Sequence, residues 1–236
     1  MPSASAHPPL EEYLQAIAFL TEEGGPVIQA RLADRLHKTP AAISEVVIRL
    51  EADGYLIRHS RQIELTEEGA AIATAVIRRH RLAERLLVDI VGLSWSAAHH
   101  EAGRYEHILS DEVEERVVAI LDDPATCPHG NPIPGSRHAT AARTTLSSLN
   151  QFGTGQQIRL ERIPEDVEDD AANLSYLEEV GFVPGAVATV RERTPDGVIV
   201  VEIGERTGAF SAALATRLLV SEVHERARVT SAAISR

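Results

Sequence analysis

Apolar residues recur at helical spacing through the first half of the chain. Tyr13, Leu14, Ile17 and Leu20 give one face to a helix over 10–20, which Gly24-Gly25-Pro26 ends. Residues 27–36 read as a second short helix and Lys38-Thr39-Pro40 as a turn. A third helix over 41–52 carries Ile43, Val46, Val47 and Leu50 on one stripe. Pro40 suits its first turn and Asp53-Gly54 its stop. Residues 55–59 and 63–65 are expected to pair as a hairpin around 60–62. Thr66, followed by Glu67 and Glu68, caps a helix predicted to reach about Val91. Ser94 or Ser96 caps the next, through about Leu109, and 110–121 makes one more.

The pattern changes after 129–135 (HGNPIPG), whose prolines exclude regular structure. Residues 136–145 read as a linker. Beyond them come short β-rich runs at 157–163, 187–193, 198–203 and 218–220, with a helix at 170–180, separated by Gly, Pro and Asp-Gly turns. The expected fold is mainly α with a small β part. A winged helix-turn-helix spans 1–75, a helical domain 76–135, and a small β-barrel 146–225.

With 236 residues, 44% of them hydrophobic, the chain can fill two or three small cores. No apolar run approaches the roughly 20 residues of a membrane helix, and 1–9 lack the form of a signal peptide, so a cytoplasmic protein is expected. A single cysteine, Cys127, excludes an intrachain disulfide and any multi-cysteine metal site.

The net charge of −12 speaks against a generic nucleic-acid binder, yet 28–62 is mildly basic. Within it, the helix–turn–helix–hairpin order fits a DNA reader. Lys38, Thr39, Ala41, Ala42, Ser44 and Glu45 occupy the turns that would enter a major groove. Arg49, Arg58 and Arg61 complete the candidate DNA set, with Arg58 and Arg61 near the hairpin placed to meet phosphates. The same residues would equally serve as the solvated face of an ordinary α/β segment. The acid excess lies at 161–170 and 178–179, where a cation would relieve repulsion.

His80 and Glu84 are four apart and share a helix face. His99, Glu106 and His107 follow at seven- and eight-residue spacing, read as one face of one helix, and Glu12 stands on the first helix. Three helices can thus converge nitrogen and oxygen ligands, a set suited to Mn(II), Fe(II), Co(II), Ni(II) or Zn(II). Taken singly, each is more simply a surface or core residue. His37, His59 and His129 show no partner pattern and are expected at the surface.

Residues 9–135 resemble the diphtheria toxin repressor family of iron- and manganese-dependent regulators. The resemblance rests on EEYLQAI, ISEVVIRLEADGYL, LTEEG, RRHRLAERLL, HHEAGRYEHILSDEVEERV and HGNPIPG. Residues 146–220 look like the SH3-like barrel of many members. The resemblance implies a homodimer that binds palindromic operators in double-stranded DNA when loaded with metal. It implies an ancillary metal position at His80, Glu84 and His99, with Asp170 and Asn173 lent by the barrel. It implies a primary position at Glu12, Gly103, Glu106 and His107. Gly103 stands where members usually offer a thiol or carboxylate, and Glu12 where iron-responsive members carry a thioether. Oxygen in place of sulfur favours Mn(II), with Fe(II) the alternative. The dimer surface is expected on 83–90 and 108–120, with Leu86, Leu87, Ile90 and Ile108. An enzyme is disfavoured, since no His-Glu-x-x-His pattern is present. A winged-helix regulator without metal response is the other rival.

Overall fold

The computed structural model describes residues 10–138 and 146–223. They form two units. The first holds residues 10–138 with Pro164–Ala171, and the second holds 146–163 and 172–223. The linker expected at 136–145 lies outside the described residues from 139 onward.

The first unit opens with α1 (Leu10–Glu22), α2 (Gln29–Arg35) and α3 (Pro40–Ala52). Pro40 occupies the first turn of α3, where its missing N–H costs nothing, and Thr39 Oγ1 accepts from Ala42 N at 3.3 Å. Tyr13, Leu14, Ile17, Leu32, Ile43, Val47 and Leu50 bury one shared core. Strands β1 (Leu56–His59) and β2 (Gln62–Leu65) pair antiparallel, with His59 opposite Gln62 across a two-residue turn. This is the winged helix-turn-helix expected from the sequence.

Helix α4 (Glu67–Arg85) begins at Thr66, which accepts from Gly69 N at 3.2 Å. Gly69 has a steric reason to be glycine: a Cβ there would lie 2.0 Å from Tyr55 O. α4 packs on both α1 and α5 (Trp95–Tyr105). The predicted continuation to Val91 is present, but Leu86–Val91 widen into a π-helix that Gly92 ends at φ 82°. α5 stops at Tyr105, four residues short of the expected end. α6 (Asp111–Ile120) starts at Ser110, which accepts from Val113 N.

The second unit is a six-stranded antiparallel sheet in the order β3-β8-β4-β5-β6-β7. Its strands are β3 (Ser147–Ser148), β4 (Gln157–Arg162), β5 (Val187–Arg193), β6 (Ile199–Ile203), β7 (Arg206–Phe210) and β8 (Leu219–Glu222). α7 (Glu165–Glu168) belongs to the first unit, while α8 (Ala171–Val180) and α9 (Ala212–Arg217) complete the chain. Ile158, Leu160, Leu177, Phe182, Val190, Val201 and Phe210 fill the sheet's core. Strands β3 and β7 carried no clear sequence signal: one is two residues long, the other holds Gly208.

Candidate metal centre

His80 and Glu84 lie one turn apart on α4, and both are buried. Around Glu84 Oε1 stand three imidazoles: His99 Nδ1 at 2.9 Å, His80 Nε2 at 3.3 Å and His129 Nδ1 at 3.3 Å. Glu168 of α7 brings Oε2 to 2.9 Å from His129 Nδ1 and 3.3 Å from His99 Nδ1. Cys127 Sγ lies 3.9 Å from His129 Nδ1. Two sets of ligand atoms result, each within 4.8 Å: Glu84, Cys127, His129 and Glu168, and His80, His99 and Glu165.

The donor set fits a divalent cation. Glu84 Oε2 and His129 Nε2 are buried with no hydrogen-bond partner, and Glu168 Oε2, although close to two imidazoles, is aligned for a hydrogen bond with neither. A buried polar atom left unsatisfied costs about 1–3 kcal/mol, and all three belong to members of one candidate ligand group, which fits a bound ion.

The electrostatics agree. Burial opposes ionisation of His80, yet Glu84 and Glu106 raise its pKa to about 10. Burial likewise opposes the charged form of His99 and His129, and both are raised by surrounding carboxylates: Asp169, Glu168 and Glu84 for His99, Glu168 and Glu84 for His129. Glu84 is held well below the usual carboxylate range against its own burial, by His129 and His80. Burial, then Glu84 and Glu168, push the Cys127 thiol up to about 12. In the metal-free chain, protons on the imidazoles supply the positive charge that the buried acids require.

Glu84 is ringed by imidazoles, and Glu106 Oε2 lies 2.6 Å from His80 Nδ1 and accepts from Gln15 Nε2 at 3.0 Å. Glu106 Oε1 is 3.2 Å from His107 Nε2, and His107 Nδ1 is 3.2 Å from Glu11 Oε2. Glu106 and His107 leave the helix for the turn after α5, so the expected single helix face for His99, Glu106 and His107 is corrected. Among the described residues, Glu12, Glu106 and His107 do not form a ligand group within 4.8 Å. They line the same cavity of about 550 Å³ as His80, His99, Gly103 and Glu168. Desolvation raises the Glu12 pKa against the pull of Lys38 and His107. A Cβ on Gly103 would meet nothing within 4 Å, so the position has room for a ligand that the residue lacks.

Three further expectations are corrected. His129 is fully buried, not at the surface, because the loop around it folds inward: Cys127 N donates to Asn131 O at 2.8 Å, and the Trp95 ring meets His129 edge-on at 5.0 Å. The ligand set is not free of sulfur, since Cys127 belongs to it. The carboxylates from beyond the sheet's first long strand that the structure brings into the candidate groups are Glu165 and Glu168, where Asp170 and Asn173 were expected. One turn of α7 puts positions three apart on its inner side, while Asp170 is exposed and Asn173 belongs to α8 of the second unit. A sequence signal for these residues existed: a lone Cys two positions before a His, and the acid run at 161–170.

Of the DNA candidates, Lys38, Thr39, Ala41, Glu45 and Arg49 are exposed on the turn and outer face of α3, with Ala42 and Ser44 half-buried. Arg61 is exposed in the hairpin turn, and Arg58 is paired with Glu51. Of the dimer candidates, Ile90 (58%) and Ile108 (74%) are exposed, as is Ile120 (62%). Leu86 is half-buried, and Leu87 is buried by its own chain against Ala83, Ala98 and Ala102, so it offers no free surface.

These features define a winged-helix DNA-binding protein with an internal metal centre, and comparison with known proteins agrees. Residues 7–62 match the iron-dependent repressor N-terminal DNA-binding domain, 66–135 its metal-binding and dimerisation domain, and 147–222 the FeoA domain. The iron-dependent repressor IdeR of Mycobacterium leprae is 42% identical over 202 residues, covering 82% of this chain and 87% of that protein. The diphtheria toxin repressor of Corynebacterium efficiens is 51% identical over 179 residues, covering 73% and 78%. A solved manganese-dependent transcriptional repressor in complex with manganese superimposes with a TM-score of 0.80 at 29% identity, covering 91% of this chain and 100% of that one. The chain belongs to the diphtheria toxin repressor family of metal-dependent transcriptional repressors.

Proposed function

We infer that this protein is a Mn(II)-responsive repressor that binds palindromic operators as a homodimer. The observation that carries the metal response is Glu84 inside a ring of His80, His99 and His129, with Glu84 Oε2 left unpartnered. A bound divalent ion supplies the charge that imidazole protons supply in its absence. Glu84, Cys127, His129 and Glu168 would hold one ion, and His80, His99 and Glu165 the neighbouring position.

Manganese is favoured by the position around Glu12, Glu106 and His107, which offers carboxylate and imidazole but no sulfur, Gly103 lending no side chain. A second reading, Fe(II), is favoured by the relative IdeR, an iron-dependent repressor, and by Cys127, a softer ligand. Glu106 connects the centre to the DNA-reading part: it touches His80 of α4 and Gln15 of α1, and α1 shares its core with α3. Ordering Glu106 fixes α1 against α4, and so the spacing of the two α3 helices in a dimer, whose half-sites lie about 34–36 Å apart. Dimerisation is assigned to the exposed apolar face with Ile90 and Ile108.

Calorimetric titration of chelator-treated protein with Mn(II), and with Fe(II) under nitrogen, tests the assignment. Binding and DNA retention with Mn(II) at micromolar levels support it. Retention with Fe(II) alone replaces it with the iron reading.

A further inference from the structure

The eight residues Pro164–Ala171 belong to the first unit although the chain on either side of them builds the second. Glu168 joins the metal group. Asp169, the next residue, stands outside both groups and has a partner on the DNA-binding side: its Oδ2 lies 3.1 Å from Arg35 Nε, in the last turn of α2. Its Oδ1 faces His99 Nε2 at 3.6 Å. Arg35 continues to Glu23 Oε1 at 2.6 Å. A second path runs in parallel. Glu165 Oε1 lies 3.2 Å from Arg81 NH2, which also donates to Glu22 Oε2 at the end of α1 at 3.0 Å. Both guanidinium carbons sit 5.6 Å from the centroid of the Phe19 ring on α1.

We propose that Asp169 and Arg35 are positioning residues that carry occupancy of the metal centre to α2, and through it to the turn that sets α3. The inference rests on the metal reading above. Glu168 and Asp169 are adjacent, so whatever orders Glu168 orders Asp169. Arg35 is held ready by Glu23 and by Phe19, so an ordered Asp169 fixes the C-terminal end of α2. Beyond that end lie only 36–39 before α3 begins at Pro40. The buried Arg81 path anchors the end of α1 in the same way and lies behind Asp169. Asp169 is half open to water, so its pair with the more covered Arg35 contributes modestly to folding by itself. Its loss should therefore appear in coupling and leave the fold intact. Coupling needs an element that differs between the two states of the centre, and this strap touches both the metal group and α2 by side-chain charge.

The test is amide hydrogen exchange of the full chain, chelated and with Mn(II), or with Fe(II) under nitrogen, in wild type, Asp169→Asn and Arg35→Gln. In wild type the ion should slow exchange in α1 and α2 as well as in α4 and α5. In both variants the slowing in α4 and α5 should persist and the slowing in α2 should fall about fivefold or more, and in Arg35→Gln, which leaves Asp169 on His99, calorimetric affinity for the ion should stay within about threefold. Asp169→Glu should restore part of it. Unchanged slowing of α2 in both variants overturns the proposal and leaves the metal reading standing. Loss of ion binding in Asp169→Asn overturns it too, by making Asp169 a ligand. A wild-type chain that binds neither ion removes the metal reading and this proposal together.

Discussion

Glu106 Oε2 stands 2.6 Å from His80 Nδ1, tying the turn after α5 to the middle of α4. The same oxygen accepts from Gln15 of α1. From the turn after α5 one carboxylate thus touches two helices, α4 and α1, and its charge is settled by its neighbours: burial opposes it, while His107, His80 and Gln15 hold its pKa down at about 2. His80 is the group whose proton an ion at the centre would replace. Glu106 is therefore the place where loading is felt by α1.

Glu84→Gln and His129→Ala should each weaken binding of the first metal ion by at least about 100-fold, since each removes a ligand. Isothermal titration of chelated protein measures it. Glu84→Gln should keep its fold by circular dichroism, because His80 and His129 can shed the protons that Glu84 holds on them. Affinity within threefold of wild type in both variants would remove Glu84, Cys127, His129 and Glu168 as a site.

The chelated protein should lose stability as pH rises. The folded pKa of His80, about 10, exceeds its ordinary 6.5. That contribution is fully present below pH 6.5 and is lost as pH climbs through about 10. Glu106 works in the other direction: its contribution is present above 4.5 and is lost as pH falls through about 2. Melting temperature without metal should thus be highest between these limits and decline above pH 6.5. Mn(II) should reverse the decline, since ligands must be deprotonated to bind. A metal-free melting temperature that rises from pH 6.5 to 10 contradicts the assignment of charge.

Helix positions and the winged fold were legible in the sequence because periodicity, the Thr66 cap, Pro40 and the Asp53-Gly54 stop agree with each other. His80 and Glu84 were legible for the same reason, their spacing being that of one helix face. Cys127 and His129 were not. They come together in a loop whose inward path is set by Asn131, Trp95 and the prolines, and no period describes a loop. Asp170 and Asn173 were expected in place of Glu165 and Glu168 because no period in the sequence marked the short turn of α7 that carries these two. The end of α5 at Tyr105 was hidden by a helical-looking spacing in Glu106 and His107.

Gly103→Asp should strengthen ion binding at the position of Glu12, Glu106 and His107. The site is exposed, and a side chain there meets no atom within 4 Å. A gain of about tenfold in Mn(II) affinity for one site, read by calorimetry, is expected from an added carboxylate. No gain, with the fold intact, would remove Glu12, Glu106 and His107 as an ion position.

Charge on the exposed apolar face should separate the protomers. Ile108→Lys with Ile120→Lys puts two ammonium groups where about 60–74% of each side chain is now open to solvent. Sedimentation should report a monomer with the fold retained. A dimer of unchanged mass would move the interface away from α6 and the turn before it.

Arg61→Ala in the hairpin turn should lower affinity for all DNA sequences alike and reduce the salt slope by about 1, as loss of a phosphate contact does. A change in sequence preference instead would make Arg61 a reader of bases.

The most direct measurement is selection of random-sequence DNA duplexes by the full chain in chelator and in Mn(II), read by sequencing and by retention of the winning duplex. Metal-dependent enrichment of one palindromic sequence, lost in Glu84→Gln, is the expected result. Equal retention in chelator and in Mn(II) would contradict the claim that acids and imidazoles gathered around Glu84 make this repressor answer to a metal ion.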